Sequence, residues 1–161
     1  MLFVVFQIGQ DRYALDAGKV VQVVPLLALK RLPHAPKGVA GVFVYEGSSV
    51  PAVDLCELTL GRPAAEMLST RIILVNFAVA GGEAHLLGLI AEKATEVLRK
   101  DPREFVGSGI NLKAAPYLGP VLADPKGPIH WLQEEHLVSD PVQKLLFASP
   151  SLVTSAAADR V

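Results

Sequence analysis

Residues 38–58 constrain the fold of this chain more than any other stretch. Two runs rich in β-branched and aromatic residues, Val39–Tyr45 and residues 49–54, flank the triplet Glu46-Gly47-Ser48. A break of three residues that contains glycine, between two such runs, predicts a β-hairpin. Pro51 has no amide proton to donate, so the second strand should lie at a sheet edge or end its pairing there.

The hairpin is followed by the signals of a short helix. Asp54 is a favourable N-cap residue, and Leu55, Leu58 and Gly61 follow at the spacing of a short helical turn with a C-terminal glycine. Elsewhere, some ten short strand-like runs fall into two clusters, with turn residues about every 8–12 positions. This pattern predicts an all-β fold with short helices, built from closed or nearly closed small barrels.

The composition narrows the classes of function. The chain has 161 residues and a net charge of −1, which gives no reason to expect binding to nucleic acid or to an anionic membrane surface. Hydrophobic residues make up 51% and charged residues only 19%. The uncharged apolar runs are too short to cross a bilayer. We therefore expect the surplus apolar surface to bind other proteins.

The first residues and the cysteine content predict a cytoplasmic protein. The apolar run that follows Met1 has no basic segment before it and stops at Gln7, unlike a secretory signal. Cys56 is the single cysteine, which excludes an intramolecular disulfide and fits a reducing compartment.

No set of residues in the sequence has the spacing of a catalytic or metal site. The four histidines, His34, His85, His130 and His136, lack ligand spacing and supporting cysteines or acids. Cys56 has apolar and acidic neighbours and is interpreted as a buried, inert thiol. The sequence therefore predicts no enzyme activity, no metal and no cofactor.

The hairpin region also resembles a known family. Gly41, Gly47 and the run Val50-Pro51-Ala52-Val53-Asp54-Leu55 resemble the central signature of CheW-like domains, the adaptors of bacterial chemosensory arrays. Further blocks lie in the family's order, before the hairpin at residues 3–8, 13–16 and 19–20 and after it at residues 71–76, 88–98, 117–119 and 129–137. The resemblance therefore covers about residues 2–140.

The resemblance implies a particular fold. CheW-like proteins have two five-stranded SH3-like β-barrel subdomains with a groove between them. For this chain the implied division is a first barrel in residues 1–66, whose N-terminal strand can cross to the second. A second barrel with C-terminal helices would occupy residues 67–148, and a flexible tail residues 149–161.

The resemblance also implies two protein partners and no cofactor. The first barrel would bind a CheA-type histidine kinase, and the groove would receive the cytoplasmic tip of a methyl-accepting chemoreceptor. The expected kinase-binding residues are Gln22, Gly41, Val42, Val44, Glu46 and Val50. The expected receptor-binding residues are Val20, Arg71 and Ala94.

One departure from the family pattern concerns the kinase-binding residues. The family often has Glu where this chain has Gln22, and usually Arg where it has Glu46. We hypothesise that the Gln22 amide donates to the Glu46 carboxylate in place of that ion pair; the alternative is that the two side chains never meet. On the first reading the chain is a specialised paralogue that serves its own kinase and receptor in a non-flagellar pathway.

Two other classes of function stay open on the sequence alone. A small-ligand-binding β-barrel would need an apolar pocket with a few converging polar groups, and Tyr13 or Trp131 are candidates to line it. An enzyme would need a polar cleft with a catalytic constellation, which the sequence does not offer. Either class would respond to a small molecule, whereas an adaptor would respond to protein partners.

Overall fold

The computed structural model describes residues 1–79, 82–107 and 115–147. Of the described residues, 49% lie in β-strands and few in short helices, which confirms the predicted fold class. The strands in the described residues are β1 (Leu2–Ile8), β2 (Asp11–Asp16), β3 (Val20–Pro25), β4 (Val39–Tyr45), β5 (Ser48–Asp54), β6 (Arg71–Ala78), β7 (Ala84–Arg99), β8 (Leu118–Leu122) and β9 (Ile129–Leu132). Two α-helices, α1 (Leu55–Leu60) and α2 (Asp140–Leu146), and 3₁₀ turns at Ala17–Lys19, Pro102–Glu104 and Glu134–His136 complete the described part.

The first group of strands, called here the hairpin sheet, has the order β3-β6-β7-β5-β4 and uses the first half of β7. β5 runs parallel to β7, and the other pairs are antiparallel. Lys30, which follows β3, forms an isolated bridge to Val42 in β4. This bridge brings the two outer strands together, so the sheet curves into a nearly closed barrel.

The second group, called here the terminal sheet, has the order β7-β1-β2-β9-β8 and uses the second half of β7. β2 and β9 run parallel, and an isolated bridge joins Val106 to Val121 in β8. Both five-stranded sheets therefore combine antiparallel pairing, one parallel pair and one isolated bridge. This agrees with the SH3-like β subdomains of the resembled family.

β7 belongs to both sheets. Two separate strands were expected here, but the structure has one strand of 16 residues, Ala84–Arg99. Its residues 84–91 pair with β6, and residues 92–99 pair with β1. Lys93, near the start of the second half, has a φ of 49°, a left-handed conformation that changes the direction of the strand without ending it.

The pairing crosses the expected division at residue 66. β1 and β2 pair with strands from the end of the chain, while β6 and the first half of β7 pair with β3 and β5. The division into residues 1–66 and 67–148 stays a prediction about folding units, and β1 is the strand expected to cross. The flexible tail predicted for residues 149–161 lies outside the described residues.

The larger core lies inside the hairpin sheet and extends under β1 and β2. Its largest side chains are fully buried, among them Phe6, Leu55, Ile72, Leu74 and Phe77. A second, smaller core in the terminal sheet contains Phe3, Ala14, Phe105, Leu122 and Ile129. In the described part of the chain, no helix is long and apolar enough to cross a membrane.

Candidate partner-binding site

The β4–β5 hairpin forms as the sequence predicts, but with a tighter turn. Tyr45 pairs with Ser48, so the loop contains only Glu46 and Gly47 instead of the expected three residues. Their φ angles are 48° and 82°. Two-residue hairpin loops of this kind need positive φ at both positions, since only then does the turn follow the right-handed twist of the strands. The turn therefore holds the Glu46 side chain at an exposed tip.

Gly41 allows the hairpin to close the barrel. The amide of Lys30 donates to the carbonyl of Val42, and the amide of Val42 donates to the carbonyl of Lys30, both at 2.8 Å. Gly41 has a φ of 150°, and a Cβ atom there would lie 2.4 Å from the Lys30 carbonyl oxygen. The two strands can approach this closely because residue 41 has no side chain.

The predicted kinase-binding residues differ in their exposure. Gly41 is buried, and Val50 is only 1% exposed because it lies opposite Phe43 and faces the core. Val50 could therefore not touch a partner directly. Val44 is 69% exposed and Val42 half-buried, while Gln22 and Glu46 are exposed. Four of the six residues can thus touch a partner directly, and the other two shape the hairpin.

Gln22 has a different partner from the one hypothesised. The hydroxyl of Tyr45 donates to Oε1 of Gln22, so the hydrogen bond goes to the neighbour of Glu46 rather than to Glu46 itself. This bond links β4 to β3 across a seam where the two strands do not pair. Together with the Lys30–Val42 bridge, it ties the seam at two points.

The predicted receptor-binding residues are only partly brought together. Arg71 pairs with Ala91 in β7, and the amide of Ala94 donates to the carbonyl of Ser69 at 3.0 Å, which places Arg71 and Ala94 near one another. Val20 pairs with Val75, whereas Arg71 pairs with Pro25. The β6 residue opposite Val20, Val75, is four residues from Arg71. Val20 and Arg71 are therefore separated by about 13 Å along the strand direction.

A polar junction that the sequence did not reveal lies where β7 passes between the sheets. Asp54 caps α1 as predicted, accepting from the amides of Cys56 and Glu57, and its other oxygen accepts from the amide of Ala64 at 2.9 Å. Glu92 accepts from the amide of Ala65 at 2.8 Å and from the Arg62 guanidinium at 3.3 Å. These two carboxylates fix residues 61–70, called here the connector, against both sheets.

The electrostatics of this junction are those of a structural site. Burial acts to raise the pKa of Glu92, but the hydrogen bonds from Arg62, Ala65 and Cys56 outweigh it, and the pKa of Glu92 is lowered. Burial raises the pKa of the Cys56 thiol to about 11. The thiol is therefore protonated at neutral pH and is a poor nucleophile. Glu92 could not have been identified from sequence, because its partners lie 27 and 30 positions away.

The residues considered for other chemistry take up structural positions. Tyr13 stacks on Phe6, and burial raises its pKa to about 12. Trp131 packs against the rings of Phe3 and Phe105. Among the described residues, no group of three or more His, Cys, Asp or Glu side chains could hold a metal ion.

A groove of about 720 Å³ opens beside the hairpin sheet, between residues 26–40, α1 and the connector. Its lining mixes aliphatic side chains with charges of both signs, including Leu29, Arg31, Lys37, Glu57 and Glu66. Among the described residues that line it, none is Val20, Arg71, Ala94, Tyr13 or Trp131. The groove is thus distinct from the predicted receptor and small-ligand positions.

Two small β-barrels that share one strand define the class to which this protein belongs, an SH3-like β protein with two subdomains. The same fold occurs in the crystal structure of the scaffolding protein TtCheW from Thermoanaerobacter tengcongensis. The two structures align with a TM-score of 0.73 at 21% sequence identity, over 86% of this chain and 87% of that one.

The sequence comparisons then identify the family. The model of the CheW-like domain matches residues 2–142, and the chain belongs to this family. It is 26% identical over 102 residues to the chemotaxis protein CheW of Rhizobium meliloti, and 28% identical over 98 residues to that of Helicobacter pylori. These matches cover 63% and 60% of this chain, and 63% and 56% of the relatives, so it matches less than two thirds of either relative.

Proposed function

We propose that this chain is a coupling adaptor that joins a CheA-type histidine kinase to the cytoplasmic tip of a methyl-accepting chemoreceptor. The observation that carries the proposal is the family match over residues 2–142. The relatives' description as chemotaxis proteins and the neighbour's description as a scaffolding protein support it.

The kinase would dock on the outer face of the β4–β5 hairpin. Val44 and Val42 offer an aliphatic surface, and Gln22 and Glu46 lie at its border. Interfaces of this type have an apolar centre and a polar rim. Gly41 and Val50 would act indirectly, by holding the hairpin against the barrel.

The receptor would bind along β6, with Arg71 and Ala94 at one end and Val20 at the other. A helical hairpin could contact both ends, because helix side chains three or four positions apart recur along one face. Ala94 is only 3% exposed, so it would contribute a small, flat contact.

Such an adaptor works by position and performs no chemical step. Binding the kinase and the receptor at once raises their effective concentration and fixes their relative geometry, which allows receptor signals to reach the kinase. The protein would act in the cytoplasm, at the membrane only through the receptor array, and would need no cofactor.

Co-purification tests the proposal. The tagged chain should retain a histidine kinase and a chemoreceptor from a lysate of its own organism. Val44→Asp should lose the kinase, because a carboxylate would be buried at the centre of the interface. Val97→Asp is the matched control, since Val97 is 65% exposed but lies on the terminal sheet. A thermal shift with a metabolite, together with no retained kinase, would instead favour the small-ligand module.

A further inference from the structure

The tip of the connector exposes two large apolar side chains in succession. Met67 is 62% exposed and Leu68 is 98% exposed. Single exposed apolar residues are common on protein surfaces and need no explanation. Two adjacent ones are a different case when their backbone is fixed by hydrogen bonds, because the exposure is then part of the folded structure.

The connector backbone is fixed by a dense set of hydrogen bonds. The amides of Ala64 and Ala65 donate to the Asp54 and Glu92 carboxylates, as described above. The hydroxyl of Thr70 donates to the carbonyl of Ala65, and its amide donates to the carbonyl of Met67 at 3.0 Å. The Met67–Leu68 tip is therefore preorganised, and a partner would meet little entropic cost in ordering it.

Two cations that make no ion pair with another described residue lie beside the tip. The hydrogen bond between Ser69 and Ala94 brings the tip next to Lys93, and Arg71 follows two residues later. Lys93 is exposed and Arg71 half-buried, and neither makes an ion pair or a side-chain hydrogen bond with another described residue. Nearby Glu92 is already paired with Arg62, while Glu66 on the other side of the tip is exposed.

We propose that the Met67–Leu68 tip is an apolar anchor for an amphipathic helix whose apolar stripe is bordered by acidic residues. The exposed Met67 and Leu68 side chains would fill the groove between ridges of helix side chains, and Arg71 and Lys93 would complement acids beside that groove. The inference rests on the proposed function, because it assigns this helix to the chemoreceptor tip. It adds an apolar contact next to Arg71 and Ala94, since the amide of Ala94 donates to the carbonyl of Ser69.

Calorimetric titration tests this inference. The probe is the soluble cytoplasmic helical hairpin of a methyl-accepting chemoreceptor from the same organism, titrated into the chain. Met67→Ser/Leu68→Ser should weaken binding more than tenfold, because desolvated apolar anchors carry most interface energy. Val97→Ser should leave the affinity unchanged. The urea midpoint of the double variant should match the wild type, since these side chains are already exposed.

The charge part of the inference has its own readout. Arg71→Gln/Lys93→Gln should weaken binding at low salt and should flatten the dependence of affinity on salt, whereas the apolar variant should leave the salt dependence unchanged. An unchanged affinity of Met67→Ser/Leu68→Ser overturns the anchor while leaving the adaptor proposal intact, provided that the wild type binds the hairpin. Failure of the wild type to bind the hairpin, with the kinase also absent from co-purification, overturns both.

Discussion

The two sheets are built on one plan but differ in what stabilises their outer surfaces. In the terminal sheet, Arg12 of β2 pairs with Asp124 at 2.7 Å and with Glu96 of β7 at 3.4 Å. In the hairpin sheet, no described side chain of β3, β4 or β5 takes part in an ion pair. Exposed valines occur on both sheets, Val44 at 69% and Val97 at 65%, so exposure alone does not distinguish them.

The difference shows which face suits a protein partner. A surface without ion pairs can be covered by an apolar partner at little desolvation cost, whereas covering a salt-bridged surface requires removing water from charges. The hairpin sheet keeps its shape through the Lys30–Val42 bridge and the Tyr45–Gln22 hydrogen bond. The hairpin sheet should therefore depend on its backbone closure for stability and the terminal sheet on its ion pairs, while partner binding should involve only the hairpin sheet. The following predictions test both parts of this comparison.

The largest effect is expected at Gly41. Gly41→Ala would place Cβ 2.4 Å from the Lys30 carbonyl oxygen, so the bridge that closes the hairpin sheet must move. We expect the free energy of unfolding to fall by about 3 kcal/mol, from steric overlap and backbone strain together. Urea denaturation followed by circular dichroism measures the change.

Gly47→Ala is the matched control for this prediction. Gly47 also has a positive φ, 82°, but a Cβ atom there would meet nothing within 4 Å. It should therefore cost only the strain of the left-handed conformation, about 1 kcal/mol. Equal losses from both variants would show that the Lys30–Val42 closure contributes nothing to stability.

The next prediction concerns the terminal sheet. Asp124→Asn removes the charge that pairs with the largely buried Arg12. The urea midpoint should fall, by less than for Gly41→Ala, because Glu96 can still face Arg12. Binding of the kinase should not change. A loss of kinase binding at unchanged stability would place the interface on the terminal sheet and reverse the comparison.

The same pair predicts how stability depends on pH. The hydrogen bond from Arg12 lowers the pKa of Asp124 below its usual 3.8. A carboxylate whose pKa is lowered by folding stabilises the native state above its unfolded pKa, and this contribution is lost as the pH falls through the folded pKa. Unfolding should therefore become easier below about pH 4, and more steeply in the wild type than in Asp124→Asn. Parallel curves for the two proteins would contradict the assignment.

The sequence was sufficient for the fold and the hairpin but not for every side-chain direction. The hairpin turn at Gly47 and the helix N-cap at Asp54 depend only on the residues next to them in sequence, and the structure contains both. The direction of Val50 did not follow from the sequence, because residues 50–54 of β5 are all buried and burial does not alternate along this strand. The roles of Glu92 and Tyr45 depend on long-range register, which a single sequence does not show.

The smallest expected effect is at Tyr45. Tyr45→Phe removes the hydroxyl that donates to Gln22 but keeps the ring, which is half-buried against the core. Because Gln22 is exposed and can bind water instead, the free energy of unfolding should fall by less than about 1 kcal/mol.

Kinase affinity, measured by calorimetry, should fall several-fold in Tyr45→Phe, since the Gln22 amide loses its fixed orientation at the border of the interface. Gln22→Ala should then weaken binding to a similar extent, and combining both changes should add little further. Additive losses from the two changes would mean that Gln22 and Tyr45 contact the partner independently, and the seam would then be no more than a structural closure.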